Sequence, residues 1–315
     1  MCARADGGAL GRRHSESRPH DPPLLCIYRL LRTRRAVNVL AVTSHVVYGH
    51  VGGQAAILAL QRAGHEVWHL PTVVFSNHPG HGGFAGEVTP PELVRRLLDG
   101  LAAGGFLAQV DAVLSGYLGS AGCAQALAGA VEKLKEQRDV TYCCDPVLGD
   151  DGRHYVAAGI EEALRERLLP LADIVTPNRY ELSRLSGMAA GGLAEALAAA
   201  ERLRAAGAGS VVAKSAELTP TRLCNAVVGP AGRFAVEVER LDAVPYGTGD
   251  LLAALLLAAR LAGLDDGAAL AQASVQVAGV IAESLARGAD ELALVAAQDV
   301  LATPPIPPLA VRRLG

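Results

Sequence analysis

Short β-branched runs, each closing in a polar loop and followed by a stretch with helical spacing, recur along most of this chain. That rhythm constrains the fold more than any other feature. Residues 37–42 form the first run, which ends in a loop carrying Ser44 and three glycines. Residues 54–63 then have helical spacing and stop at Gly64. The same order is read at 66–75, 111–117, 140–144, 173–175 and 210–213, with helices over about 89–103, 121–137, 160–169 and 193–206. Strands alternating with helices at this spacing predict an α/β fold with a mostly parallel sheet covered on both faces. Residues 225–228 and 234–241 read as a hairpin across Gly229 and Pro230, and 251–263, 266–287 and 290–301 as closing helices.

Composition narrows the class. The chain has 315 residues, of which 50% are hydrophobic, enough for one large domain, and four Phe and one Trp leave its core aliphatic. A net charge of -3 gives no basic footprint for nucleic acid. No apolar run of about 18 residues is free of charges and breakers, so no membrane span is predicted. Six cysteines lie in no CxxC or metal-type spacing, which suits reduced thiols of a cytoplasmic protein. Residues 1–36 are rich in Arg, Pro and Ser and read as a disordered extension; 37–304 read as one domain and 305–315 as a C-terminal tail.

The stretch Pro245-Tyr246-Gly247-Thr248-Gly249-Asp250 precedes a long Ala/Leu run. Glycines admit a ligand close to the backbone, and the first amides of the helix have no internal partner. Gly247, Thr248 and Gly249 therefore form a candidate anion hole for phosphate oxygens. Asp250 stands where a carboxylate could take a proton from a hydroxyl beside that phosphate. At a helix N-terminus its pKa is expected to be lowered, making it a weak ground-state base. Taken alone, the stretch fits a tight turn and a helix cap equally well.

Other polar residues follow predicted strand ends, which line one edge of such a sheet. Asp145, Asp150 and Glu181 offer hard oxygens suited to Mg²⁺ carrying nucleotide phosphates. Lys214 can neutralise β/γ-phosphate charge. Asn178 and Glu181 also match a capping box. In the loop after residue 75, His78 and His81 do not have the spacing of a metal pair on a helix or a strand face.

These pieces follow one another as in a known family. Ser44-His45-Val46-Val47-Tyr48-Gly49-His50-Val51-Gly52, Phe75-Ser76-Asn77-His78, Asp145-Pro146-Val147-Leu148-Gly149-Asp150, Thr176-Pro177-Asn178-Arg179-Tyr180-Glu181 and Gly247-Thr248-Gly249-Asp250 together resemble the pyridoxal kinases of the ribokinase-like superfamily. The resemblance runs over about 37–301. It implies a three-layer α/β/α fold and ATP-dependent phosphorylation of the 5′-hydroxymethyl of pyridoxal, with pyridoxine and pyridoxamine as further acceptors. It implies Asp250 as the base, with Ser44, Val51, Phe75, His78 and Tyr117 around the vitamin ring. Asp145, Asp150, Tyr155, Asn178, Glu181, Lys214, Ser215, Leu241, Asp242, Ala243, Pro245, Gly247 and Thr248 would lie along ATP. Asp145, Asp150 and Glu181 would face the metal. Mg²⁺, a monovalent cation such as K⁺, and a homodimer belong to the same expectation. Pro79 stands where relatives usually carry Thr, and Lys214-Ser215-Ala216 also departs from the common forms. Two other readings stay open: a ribokinase-like kinase of another alcohol such as hydroxymethylpyrimidine, and a non-catalytic binder of a B6 vitamer.

Overall fold

The computed structural model describes residues 36–150, 153–241, 244–303 and 309–315. The extension expected at the N-terminus, as far as Arg35, and the nucleotide-side Asp242 and Ala243 lie outside the described residues. In chain order, β1 (Asn38–Tyr48) leads through a glycine loop to α1 (Gly53–Arg62). β2 (Glu66–Asn77) and the short β3 (Gly86–Val88) precede α2 (Pro91–Ala103). β4 (Ala112–Ser115), α3 (Ala121–Gln137) and β5 (Thr141–Cys144) continue the rhythm. A small hairpin, β6 (Gly149–Asp150) with β7 (Arg153–His154), interrupts it. Then come α4 (Ile160–Ala163), β8 (Ile174–Val175), α5 (Arg179–Ser186), α6 (Leu193–Ala205) and β9 (Ser210–Leu218). β10 (Arg222–Gly229), β11 (Gly232–Glu239), α7 (Thr248–Leu261), α8 (Asp266–Ala286), α9 (Gln298–Ala302) and β12 (Val311–Leu314) complete the described chain.

Ten strands form one sheet in the order β12-β11-β10-β9-β8-β5-β4-β1-β2-β3. The six strands from β9 to β2 are parallel, and antiparallel strands extend both edges. Alternation along each strand splits the core in two. Leu40, Val42, Val113, Tyr142 and Cys144 pack with α2, α3, α5 and α6. Val39, Ala112, Leu114 and Cys143 face the other way, onto α1, α7 and α8. The result is the three-layer α/β/α arrangement. Because these strands are parallel, the loops leaving their carboxyl ends gather along one rim.

Several expectations need correction. Only residues 298–302 of the helix expected over 290–301 are helical. Two other bonds compete: the Ser284 hydroxyl accepts from the Ala293 amide, and the Glu291 side chain accepts the His50 amide of the loop after β1. The helix expected from residue 89 begins at Pro91: the Thr89 hydroxyl donates to the Pro71 carbonyl, and Pro90 is the N-cap. The strand expected to end at Ala213 runs on to Leu218 through a bulge. Ser215 there has φ 52, alone among the described non-glycine residues in having positive φ, and the Asn225 side chain accepts its amide. The fold does not stop at 304, because β12 pairs with β11 inside the expected tail. Finally, α8 is long and apolar enough to cross a membrane by length and composition. It packs instead against the sheet, with Ala269, Leu270, Ala273 and Val280 buried in the core.

Candidate active site

α7 begins under the rim. Its N-cap, Gly247, has φ 90, and a Cβ there would collide with the His50 carbonyl. Glycine is therefore required twice, for the left-handed turn and for the close approach of the loop after β1. The first-turn amides of α7 have no partner within the helix and point to the rim.

Asp250 lies in that first turn, and its Oδ2 accepts from the Gly52 amide at 2.9 Å. Residues 198 positions apart in sequence are thus in direct contact, and the Ser44 loop meets the glycine turn. Ser44 is buried, and its Oγ sits where a Cβ on Gly52 would be. A Cβ on Gly116 would fall 3.6 Å from Asp250 Oδ1, so the loop after β4 closes the third side. The pKa expectation is reversed here. Burial, helped by the charge of Asp145, pushes the Asp250 carboxyl up to about 6, against the opposing pull of the Gly52 amide and Lys214. Tertiary surroundings outweigh the helix end, and Asp250 is a stronger base than its position along the sequence suggested.

On the nucleotide side, Lys214 Nζ donates to Asp145 Oδ1 at 2.7 Å. The same oxygen accepts from the Thr176 hydroxyl at 2.7 Å. A Cβ on Gly249 would lie 3.2 Å from Lys214 Nζ, which sets the ammonium beside the anion hole. Burial opposes the Lys214 charge, but Asp145 and Glu181 outweigh it and raise its pKa. Asn178 and Glu181 form the capping box of α5, and Asn178 also donates to the Gly149 carbonyl. Each Glu181 carboxylate oxygen accepts a backbone amide, from Leu148 at 3.2 Å and Asn178 at 2.8 Å. Glu181 is 2% exposed, and burial first, then Asp145, raises its pKa against the pull of Lys214. Asp150 lies exposed on the β6–β7 hairpin. Tyr155, just beyond it, is exposed, and its hydroxyl pKa is raised by desolvation and by Glu181, Asp150, Asp250 and Asp145. Ser215 sits in the β9 bulge, Leu241 packs against the core on the α7 side, and Pro245 is half-buried.

On the opposite side, Val51 and Tyr117 are half-buried, and Phe75 packs its ring on Phe84 at 4.5 Å. His78 is buried and shares one Glu291 oxygen with His81, at 2.8 and 2.9 Å. Sequence spacing concealed this trio, since Glu291 lies 213 residues from His78. The three could in principle converge on a metal ion. However, the Gly80 amide donates to His78 Nδ1, so the ring proton sits on Nε2, facing the carboxylate. That is a hydrogen-bonding tautomer, with no lone pair for a cation on Nε2. Thr176 reads in the sequence only as the start of the Thr-Pro-Asn stretch, and its bond to Asp145, 31 residues away, was missed.

Comparison with known proteins decides the family. A profile of the phosphomethylpyrimidine kinase family matches residues 49–294. A pyridoxal kinase PdxY of Rubrobacter xylanophilus is 40% identical over 86% of this chain and 95% of its own length. The chain belongs to the pyridoxal kinase family. Its Deinococcus radiodurans relative is 44% identical over 69% of this chain and 77% of its own. Among solved structures, the pyridoxal kinase of Leishmania donovani in complex with ADP and pyridoxine superposes with a TM-score of 0.83. It is 33% identical and is matched over 99% of its length and 88% of this chain. The ribokinase-like fold expected from the sequence is thereby shown.

Proposed function

We propose that this chain is a pyridoxal kinase, transferring the γ-phosphoryl of ATP to the 5′-hydroxymethyl of pyridoxal to give pyridoxal 5′-phosphate. The observation that carries the reading is the contact between Asp250 and the Gly52 amide, which brings the base, the anion hole and the Ser44 loop to one point. In this reading Asp250 takes the hydroxyl proton as the oxygen attacks. The amides at Gly247–Gly249 and the Lys214 ammonium hold the charge of the transferred group. Ser44 hydrogen-bonds the ring side of the vitamin, and Val51, Phe75, His78 and Tyr117 wall it. ATP extends from Lys214 and Ser215 past Asn178 toward Tyr155, Leu241 and Pro245.

Mg²⁺ would be held by Asp145 and Asp150, largely through water. Asp145 has one oxygen not engaged by Lys214 or Thr176, and Asp150 is exposed. Glu181, with both oxygens on amides, would act through the same water shell. When bound, the ion neutralises phosphate charge. A monovalent cation such as K⁺ at the site, a homodimer and a cytoplasmic location complete the proposal. Pro79 removes a hydroxyl at the ring's edge, so the acceptor range is the property most open to change.

The test is an ATP-dependent assay with pyridoxal, followed at the product's absorbance band, alongside pyridoxine, pyridoxamine and hydroxymethylpyrimidine. Turnover with a B6 vitamer and none with the pyrimidine supports the reading. The reverse preference would move the chain to the alternative kinase. Tight binding of pyridoxal phosphate without turnover would make it a vitamer binder.

A further inference from the structure

Outside the residues assigned to substrate and nucleotide, one carboxylate ties three loops together. Glu291 Oε2 accepts the His50 amide at 2.8 Å, while Oε1 accepts from His78 and has His81 Nε2 as an ion-pair neighbour at 2.9 Å. The opposite end of the same peptide region, the His50 carbonyl, lies against Gly247, and two residues on, the Gly52 amide reaches Asp250. The loop after β1 is therefore gripped between Glu291 and the first turn of α7. Rings complete the clasp. Tyr246, just before the anion hole, packs on His78 at 4.7 Å, and Tyr48, at the end of β1, packs on His81 at 5.4 Å. Gly49 allows this closeness, since a Cβ there would lie 2.8 Å from Glu291 Oε2.

We infer that Glu291 is a positioning residue for the acceptor half of the site: it sets the loops carrying Val51–Gly52 and His78 relative to Asp250 and makes no contact with substrate itself. Its charge state fits the task. Burial works against ionisation, but the His50 amide, His78 and His81 outweigh it and hold the carboxyl below its ordinary value. Both oxygens must accept at once. An amide in its place would turn an N–H₂ group toward either the His50 amide or the two imidazoles, so glutamine cannot reproduce the clasp.

The inference rests on the kinase reading for its kinetic arm but not for its structural one. In the free full-length chain, Glu291→Gln should speed amide hydrogen exchange in peptides covering 48–53 and 77–83, with exchange in the core strands β4 and β5 unchanged. In the assay, with whichever alcohol the wild type phosphorylates, the variant should raise KM for the acceptor about 10-fold or more. KM for ATP should stay within about 2-fold. His81→Ala, which removes the ring beside Glu291 Oε1 but neither of its hydrogen bonds, should give a smaller shift of the same kind. Unchanged exchange in both loops, or acceptor and ATP KM values that move together, would overturn the assignment. Should pyridoxal not be the acceptor, the exchange result still stands or falls on its own.

Discussion

Replacing Asp250 with asparagine separates what the carboxylate does for chemistry from what it does to stability. Asparagine keeps an oxygen for the Gly52 amide, so the loop contact survives while the charge and the base are lost. An unfolded aspartate titrates near 3.9, whereas the folded carboxyl is raised to about 6. The folded chain therefore binds this proton more tightly than the unfolded chain, and wild-type stability falls as pH rises from about 4 to about 6. Two pKa units correspond to about 3 kcal/mol at full weight. Asp250 keeps some contact with solvent at the rim, which reduces this to about 1–2 kcal/mol. The asparagine variant escapes that penalty. At pH 8 its Tm should exceed the wild type's by about 2–5 °C, and the gap should close near pH 4. Over the same comparison kcat should drop about 10²-fold or more, with pyridoxal binding nearly kept. Thermal melts at the two pH values and steady-state kinetics at pH 8 test both halves. A variant with wild-type turnover would remove Asp250 as the base. A Tm difference of zero at pH 8 would refute the strained-carboxylate argument even if activity were lost.

Three further outcomes follow from the same geometry. In the wild type, kcat/KM should fall on the acid side with an inflection near pH 6, as Asp250 protonates in the free enzyme; an inflection near pH 4 would mean that burial does not govern the group. Ser44→Ala should mainly raise KM for pyridoxal, and an unchanged KM would place the vitamin elsewhere. Lys214→Met strips the buried Asp145 of its cation, and should lower stability by about 3 kcal/mol and raise KM for ATP; a melting temperature equal to wild type would show that the pair contributes nothing.

The sheet was legible because the central parallel strands are largely apolar runs and helices such as those ending before Gly64 and Gly207 carry a glycine stop. The glycine turn and Asp250 were legible because their chemistry is local. What escaped was set by distant partners. Residues 290–297 have helical spacing, but Glu291 and the Ala293 amide are satisfied by other elements instead. The direction of the Asp250 shift was misread because the helix end is visible in the sequence, while the burial that outweighs it, with the Asp145 charge second, is set by tertiary packing. Glu181 could be recognised as a capping residue from its spacing to Asn178, yet its burial against Leu148 could not. The short β3 and β12 carry too few residues to show a period.

The pairing of Val311–Leu314 with β11 settles how this sheet ends on that side. A bare outer strand would offer its unpaired amides and carbonyls to any extended neighbour. Here the outermost position is taken by a four-residue segment bearing Arg312 and Arg313, the former 3.5 Å from Glu237. Adjacent positive charges on so short a border repel a second border of the same kind, so among the described residues this strand works as a guard against stacking edge to edge.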